Sequence, residues 1–129
     1  MIRSLLAVLL AGLWISTSEF LRNEVLLKQR WIDHFAGIGL VFPSEPLNDA
    51  LWGAWSFVLA AVIVVLVRRT SLAVTVGVVW VLAFPLMWLV TWNLLVMPSG
   101  LLAVAVPWSL LEVGGAGWIA RRVTRADGD

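Results

Sequence analysis

Apolar residues fall into four long runs, and the short polar stretches between them set the punctuation of the chain. The first run, Leu5 to Ile15, continues through Phe20 and Leu21. The second spans residues 47–67 and stops at Arg68-Arg69. The third, residues 71–97, is broken only by scattered Ser, Thr and Asn. After the turn Pro98-Ser99-Gly100 the fourth occupies residues 100–120 and ends at Arg121-Arg122. Runs of roughly 20 apolar residues match the thickness of a bilayer's hydrocarbon core when helical. The pattern therefore predicts an all-α polytopic membrane protein: one membrane domain over 1–129 with four transmembrane helices, at about 2–22, 47–67, 71–97 and 100–120.

Residues 24–46 follow a different rule. Leu27, Trp31 and Phe35 recur every four residues, while Glu24, Lys28, Arg30 and Asp33 take the other faces. This predicts an amphipathic helix on the membrane surface between the first and second spans. Phe42-Pro43-Ser44-Glu45-Pro46 then gives a stiff re-entry, because proline restricts itself and its predecessor. That stretch reads either as a connector or as a lid over a cavity between the helices.

The third run is about 27 residues, longer than a crossing needs, and Pro85 supplies a bend by removing a hydrogen bond to Val81. Trp80, Phe84, Trp88 and Trp92 stand four apart and form an aromatic stripe, read as packing or lipid contact with a ligand-stacking wall as the sharper alternative. In the first run Gly12, Ser16, Glu19 and Asn23 share one helix face, which is small and polar and so points toward other helices. Arg3, the apolar run and Ser16 to Ser18 also fit a cleavable leader; the membrane span is the preferred reading. In the fourth run Gly114, Gly115 and Gly117 allow a neighbouring backbone to approach, with Gly114 and Gly117 expected at the tightest contact.

Composition reinforces the membrane assignment. The chain is 61% hydrophobic and 13% charged, against about 45–50% and about 25% in soluble domains. Nine tryptophans and no tyrosine fit a protein with membrane interfaces to occupy, Trp52 and Trp55 among them. A net charge of +1 without a basic stripe gives no nucleic-acid footprint. With no cysteine and one histidine, His34, no metal site, cofactor or catalytic motif is expected. Asp33-His34 alone is a weak candidate base. Six basic residues (Arg3, Arg68, Arg69, Arg121, Arg122 and Arg125) fall on one side of a four-span topology. Three (Arg22, Lys28 and Arg30) fall on the other. The positive-inside rule then puts both termini in the cytoplasm, as in a protein of the cell's inner membrane. Arg125, Asp127 and Asp129 make a polar tail.

Two polar sets stand out. Glu112 lies about 18 Å below the Pro98–Gly100 turn at 1.5 Å per residue, and an acid at that depth is costly unless protonated, paired or wetted. It is expected to be neutral and to donate to the carbonyl freed at Val81 or to Ser109, making Glu112 and Ser109 a candidate buried proton or substrate site. The second set is an outer polar pocket of Glu19, Arg22, Asn23, Asn93 and Trp92, with Ser56 at its margin and Arg22 spaced to pair with Glu19.

The sequences Asn23-Glu24-Val25-Leu26-Leu27-Lys28, Phe42-Pro43-Ser44-Glu45-Pro46 and Trp52-Gly53 resemble those of uncharacterised small four-helix proteins of bacterial inner membranes. The resemblance implies the layout of the whole chain and no activity. Two functions follow as expectations. One is a non-enzymatic accessory or self-associating subunit, partnered by the bilayer and by a copy of itself or another membrane protein through the glycine-rich helix. The other is a small transporter or lipophile binder that uses Glu112.

Overall fold

Every apolar run is helical, and the amphipathic segment forms a short helix of its own. The computed structural model describes residues 1–125, so Asp127 and Asp129 of the polar tail lie outside the described residues. The helices are α1 (Ile2–Phe20), continued by a π-helical segment (Leu21–Leu26), then α2 (Lys28–Gly37), α3 (Pro46–Val67), α4 (Leu72–Ala83), α5 (Pro85–Asn93) and α6 (Leu101–Arg125). The chain is all-α, with four stretches long and apolar enough to cross a membrane: Ile2–Leu26, Pro46–Val67, Leu72–Asn93 and Leu101–Arg125.

Local chemistry explains most of the boundaries. Pro46 occupies the first turn of α3, where its missing N–H costs nothing, and Asp49 follows in the same turn. The Ser71 hydroxyl accepts from the Val74 N–H at 3.2 Å and caps α4. Between α4 and α5 the chain bends at Pro85. Phe84, at φ −114°, ψ −66°, stays in the right-handed region, its N–H donating to the Trp80 carbonyl at 3.0 Å and its carbonyl accepting from the Trp88 N–H at 2.8 Å. The third crossing is thus one kinked stretch, Leu72–Asn93, and it ends at Asn93 rather than near Met97. Gly100 turns the chain into α6 with φ +72°, a conformation that suits a residue without Cβ.

Helix α1 packs chiefly against α3 and α6, while α4 closes the far side against the same two helices. Small residues line this interior: Ala7, Ala11, Ala60, Ala116 and Ala120 are all fully buried. Large apolar side chains such as Val58, Leu82, Leu89 and Leu111 point outward, as they would toward lipid.

The glycines act differently from one another. A Cβ on Gly115 would sit 2.7 Å from Trp14 Nε1, and one on Gly117 would sit 2.9 Å from Leu72 Cδ1. Nothing lies within 4 Å of a Cβ on Gly114. The expected pair of contact glycines is therefore corrected to Gly115 and Gly117. The reason is angular: at 100° per residue Gly115 and Gly117 stand about 200° apart on the two flanks of the buried face, toward α1 and α4, and Gly114 lies on the outward arc between them.

Candidate functional site

The first span does not stop at residue 22. It runs four residues further, to Leu26, through the π-helical segment, in which the Leu27 N–H reaches back five residues to the Arg22 carbonyl at 2.9 Å. Such segments recur at functional sites because they re-aim side chains without ending the helix. The extension sets Glu19 and Arg22 roughly 6 Å further from the helix end than a stop at residue 22 implies. Both are buried, Glu19 5% and Arg22 4% exposed.

That shift merges the two polar sets predicted separately. Glu19 and Arg22 both lie within electrostatic reach of Glu112. Ser18, beside Glu19 in sequence, bridges to α6: its hydroxyl donates to Glu112 Oε2 at 2.5 Å. Trp108 Nε1–H donates to the same hydroxyl oxygen at 2.9 Å, since an indole nitrogen can only donate. Trp14 Nε1–H donates to the Glu112 backbone carbonyl at 2.9 Å. Glu112 thus accepts from α1, and the expected donation to Val81 or Ser109 is corrected. Ser109 instead accepts from Trp80 Nε1 at 2.9 Å and donates to the Val106 carbonyl at 3.0 Å.

Arg22 is held on two sides. Its Nη2 donates to Glu19 Oε1, and its guanidinium carbon lies 5.3 Å from the centre of the Phe84 ring. Asn23 Nδ2 donates to Glu19 Oε2 at 2.9 Å, so both oxygens of that carboxylate are occupied. Arg22 Nη1 is buried without a partner, as are Ser16 Oγ and Glu112 Oε1.

Two of these three atoms belong to residues lining a cavity of about 560 Å³ at one end of the bundle. Ser16, Glu19, Arg22 and Asn23 contribute its polar wall. Trp52, Gly53 and Ser56 come from α3, Met87, Trp88 and Thr91 from α5, and Leu101 and Ala105 from α6. Trp31, Phe35 and Phe42 close it from the connecting segment. Those three rings pack on one another, Phe42 stacked on Trp31 at 6.1 Å and edge-on to Phe35 at 5.4 Å. Arg30 Nη1 donates to the Gly100 carbonyl at 3.3 Å, and His34 Nε2 to the Leu95 carbonyl at 2.8 Å. Helix α2 is thereby tied to the α5–α6 turn, across the cavity's end. Of residues 42–46, Phe42 and Pro43 line the cavity.

Not every predicted residue arrives. Asn93 and Trp92 are exposed and stand outside the cavity, because α5 ends at Asn93 and both side chains lie on its outer face. Trp88, one turn earlier, is 8% exposed and lines it instead. Glu112 lies behind the cavity wall, linked to it through Ser18, Glu19 and Arg22. His34 is committed to a carbonyl and Asp33 Oδ1 accepts from Gln29 at 2.8 Å, so the two do not form an acid–base pair. Among the described residues no three His, Cys, Asp or Glu side chains converge as a metal ion would require.

Ser18, Trp14 and Trp108 were missed by sequence reasoning. Ser18 reads as one of three small residues, and nothing in spacing sets Trp14 and Trp108 apart from the other tryptophans; only helix rotation reveals which N–H points inward. No protein-family model, no curated protein and no solved structure matches the chain, so its functional reading rests on this geometry.

Proposed function

We propose that this chain is a multi-pass protein of the cytoplasmic (inner) membrane that binds an amphipathic small molecule in the cavity under α2. Both termini lie in the cytoplasm and the cavity lies at the outer leaflet. The reading is carried by one observation: a 560 Å³ cavity, mainly aromatic and apolar, with a buried Arg22–Glu19 pair in its wall. Ligand sites are typically cavities of about 300–1,000 Å³ with a few placed polar groups. An Arg–Glu pair in a membrane span is expensive unless it serves a site. The six-to-three distribution of basic residues supports the orientation. An accessory subunit joined through the glycines of α6 has less support, because Gly115 and Gly117 are already covered by Trp14 and Leu72.

The test uses a tritiated long-chain monoacylglycerol and the purified protein in detergent, with saturable binding of one per chain expected. Gly53 lines the cavity and a Cβ there meets nothing within 4 Å, so Gly53→Trp fills the space without a backbone clash. It should abolish binding while leaving the melting temperature near that of the parent. Unsaturable binding, or binding unaffected by Gly53→Trp, refutes the proposal. For orientation, a reporter that works only in the cytoplasm should give signal when fused to the C-terminus and none when inserted at Gly39.

A further inference from the structure

We infer that the cavity selects an uncharged lipid whose head carries a carbonyl or ester oxygen, received by the free Nη1–H of Arg22. The inference rests on the cavity being a ligand site and goes on to the chemistry of the ligand.

Hydrogen-bond accounting around the cavity wall leaves an asymmetry. Each Glu19 oxygen already accepts one hydrogen bond, Oε1 from Arg22 and Oε2 from Asn23. Glu24 Oε2 takes Lys28 Nζ at 2.5 Å. Of the three buried polar atoms without a partner, Glu112 Oε1 lies behind the wall; the two on cavity-lining residues are Arg22 Nη1, a donor, and Ser16 Oγ, a hydroxyl able to donate or accept. Buried polar atoms are nearly always satisfied in native proteins, and an exception asks for a partner. Arg22 cannot swing away to find one elsewhere, since Glu19 holds its Nη2 and Phe84 lies against the guanidinium. What fits the free donor is an oxygen acceptor brought in by the ligand.

Charge then narrows the class. The single positive charge of Arg22 is opposed by the carboxylate of Glu19. No net positive charge remains to draw an anion, and Glu24 and Asp49 on the same wall repel one. A cationic head without an oxygen has no acceptor to offer Nη1. A neutral carbonyl or ester satisfies the donor at no electrostatic cost, and its chain meets Trp31, Phe35, Trp52 and Trp88.

The experiment compares three tritiated probes of equal chain length on the purified full-length protein: a monoacylglycerol, an alkyltrimethylammonium and a fatty acid at a pH where it is ionised. The monoacylglycerol should bind at least tenfold more tightly than either charged probe. Arg22→Lys keeps the charge opposite Glu19 but loses the fork that leaves Nη1 free, and should weaken the ester about tenfold while barely changing the other two. Should that variant fail to assemble, Ser16→Ala reads the same wall and should weaken the ester several-fold. Equal binding of all three probes, or tightest binding of either charged one, overturns the inference and leaves the cavity reading standing. If no probe binds saturably, both fall.

Discussion

The two ends of the bundle are built from the same helices and solve opposite problems. Toward the chain termini, α1, α3 and α6 meet through Ala7, Ala11, Ala60, Ala116 and Ala120, all without exposure. Toward the other end they carry Glu19, Arg22, Trp52 and Leu101 and enclose a cavity. In a bilayer no hydrophobic force drives helices together, so close packing of small residues holds the first end. At the second end ion pairing and hydrogen bonds replace it, and the bulk of Trp52, Trp88 and Phe84 keeps the helices apart. One end is closely packed through small residues and the other encloses a cavity.

The largest effect is expected at Arg22. Arg22→Met leaves the buried Glu19 without a counter-charge, and breaking a buried ion pair from one side costs about 3–5 kcal/mol. Denaturation in mixed micelles should show a loss of that size. Adding Glu19→Leu should restore most of it, because the orphaned carboxylate goes too. If the double variant is no better than the single one, Arg22 contributes through its contact with Phe84 and not through charge.

Next in size is the tight end. Gly115→Leu drives a side chain into the Trp14 indole, which lies 2.7 Å from a Cβ at that position. It also dislodges the N–H that holds the Glu112 carbonyl. A loss of about 3 kcal/mol is expected, the upper end of what overpacking costs. A melting temperature within a degree of the parent would show that α1 and α6 separate freely there.

These expectations draw on features of unequal legibility. The four crossings, the amphipathic connection and the Glu19–Arg22 pair can be read from spacing alone, because hydropathy and helical periodicity are local properties. The continuation of α1 through a π-helical segment cannot. Nothing in Leu21-Arg22-Asn23-Glu24-Val25-Leu26 marks a bond spanning five residues, and the geometry depends on Arg22 finding Glu19 and Phe84. Missing those four residues separated Glu19 from Glu112 in depth and hid the single cluster they form. Gly114, Gly115 and Gly117 show the same limit: composition marks a close approach, and helix rotation decides which glycines make it.

At the junction of the two ends sits Ser18. Ser18→Ala removes the donor to Glu112 Oε2, while the Trp108 N–H keeps the Ser18 backbone carbonyl at 3.3 Å. A buried carboxyl oxygen left unsatisfied is costly, and about 2 kcal/mol of stability should go. Glu112→Gln should cost less, since its amide oxygen can still accept from Ser18. If Glu112→Gln is the more damaging of the two, the charge of Glu112 is what the fold uses. Ser18 would then be only its neighbour.

The smallest effect, and the one of opposite sign, is expected at Gly114. A Cβ there meets nothing within 4 Å, so alanine enters without a clash. It also removes backbone freedom that glycine has in the unfolded chain, a change worth about 0.4–1 kcal/mol in favour of the folded state. Gly114→Ala should therefore raise the melting temperature slightly and leave the apparent mass in detergent unchanged. The same substitution probes the outer face of α6, which carries Leu111 and Trp118 in exposed positions beside it. Were that face covered by a second copy of the chain, a methyl group at Gly114 would wedge the copies apart. Stability would then fall with dilution, and a smaller particle would appear. A fall in melting temperature together with a drop in mass would revive the self-associating reading, whereas a small rise at constant mass leaves Gly114 facing lipid.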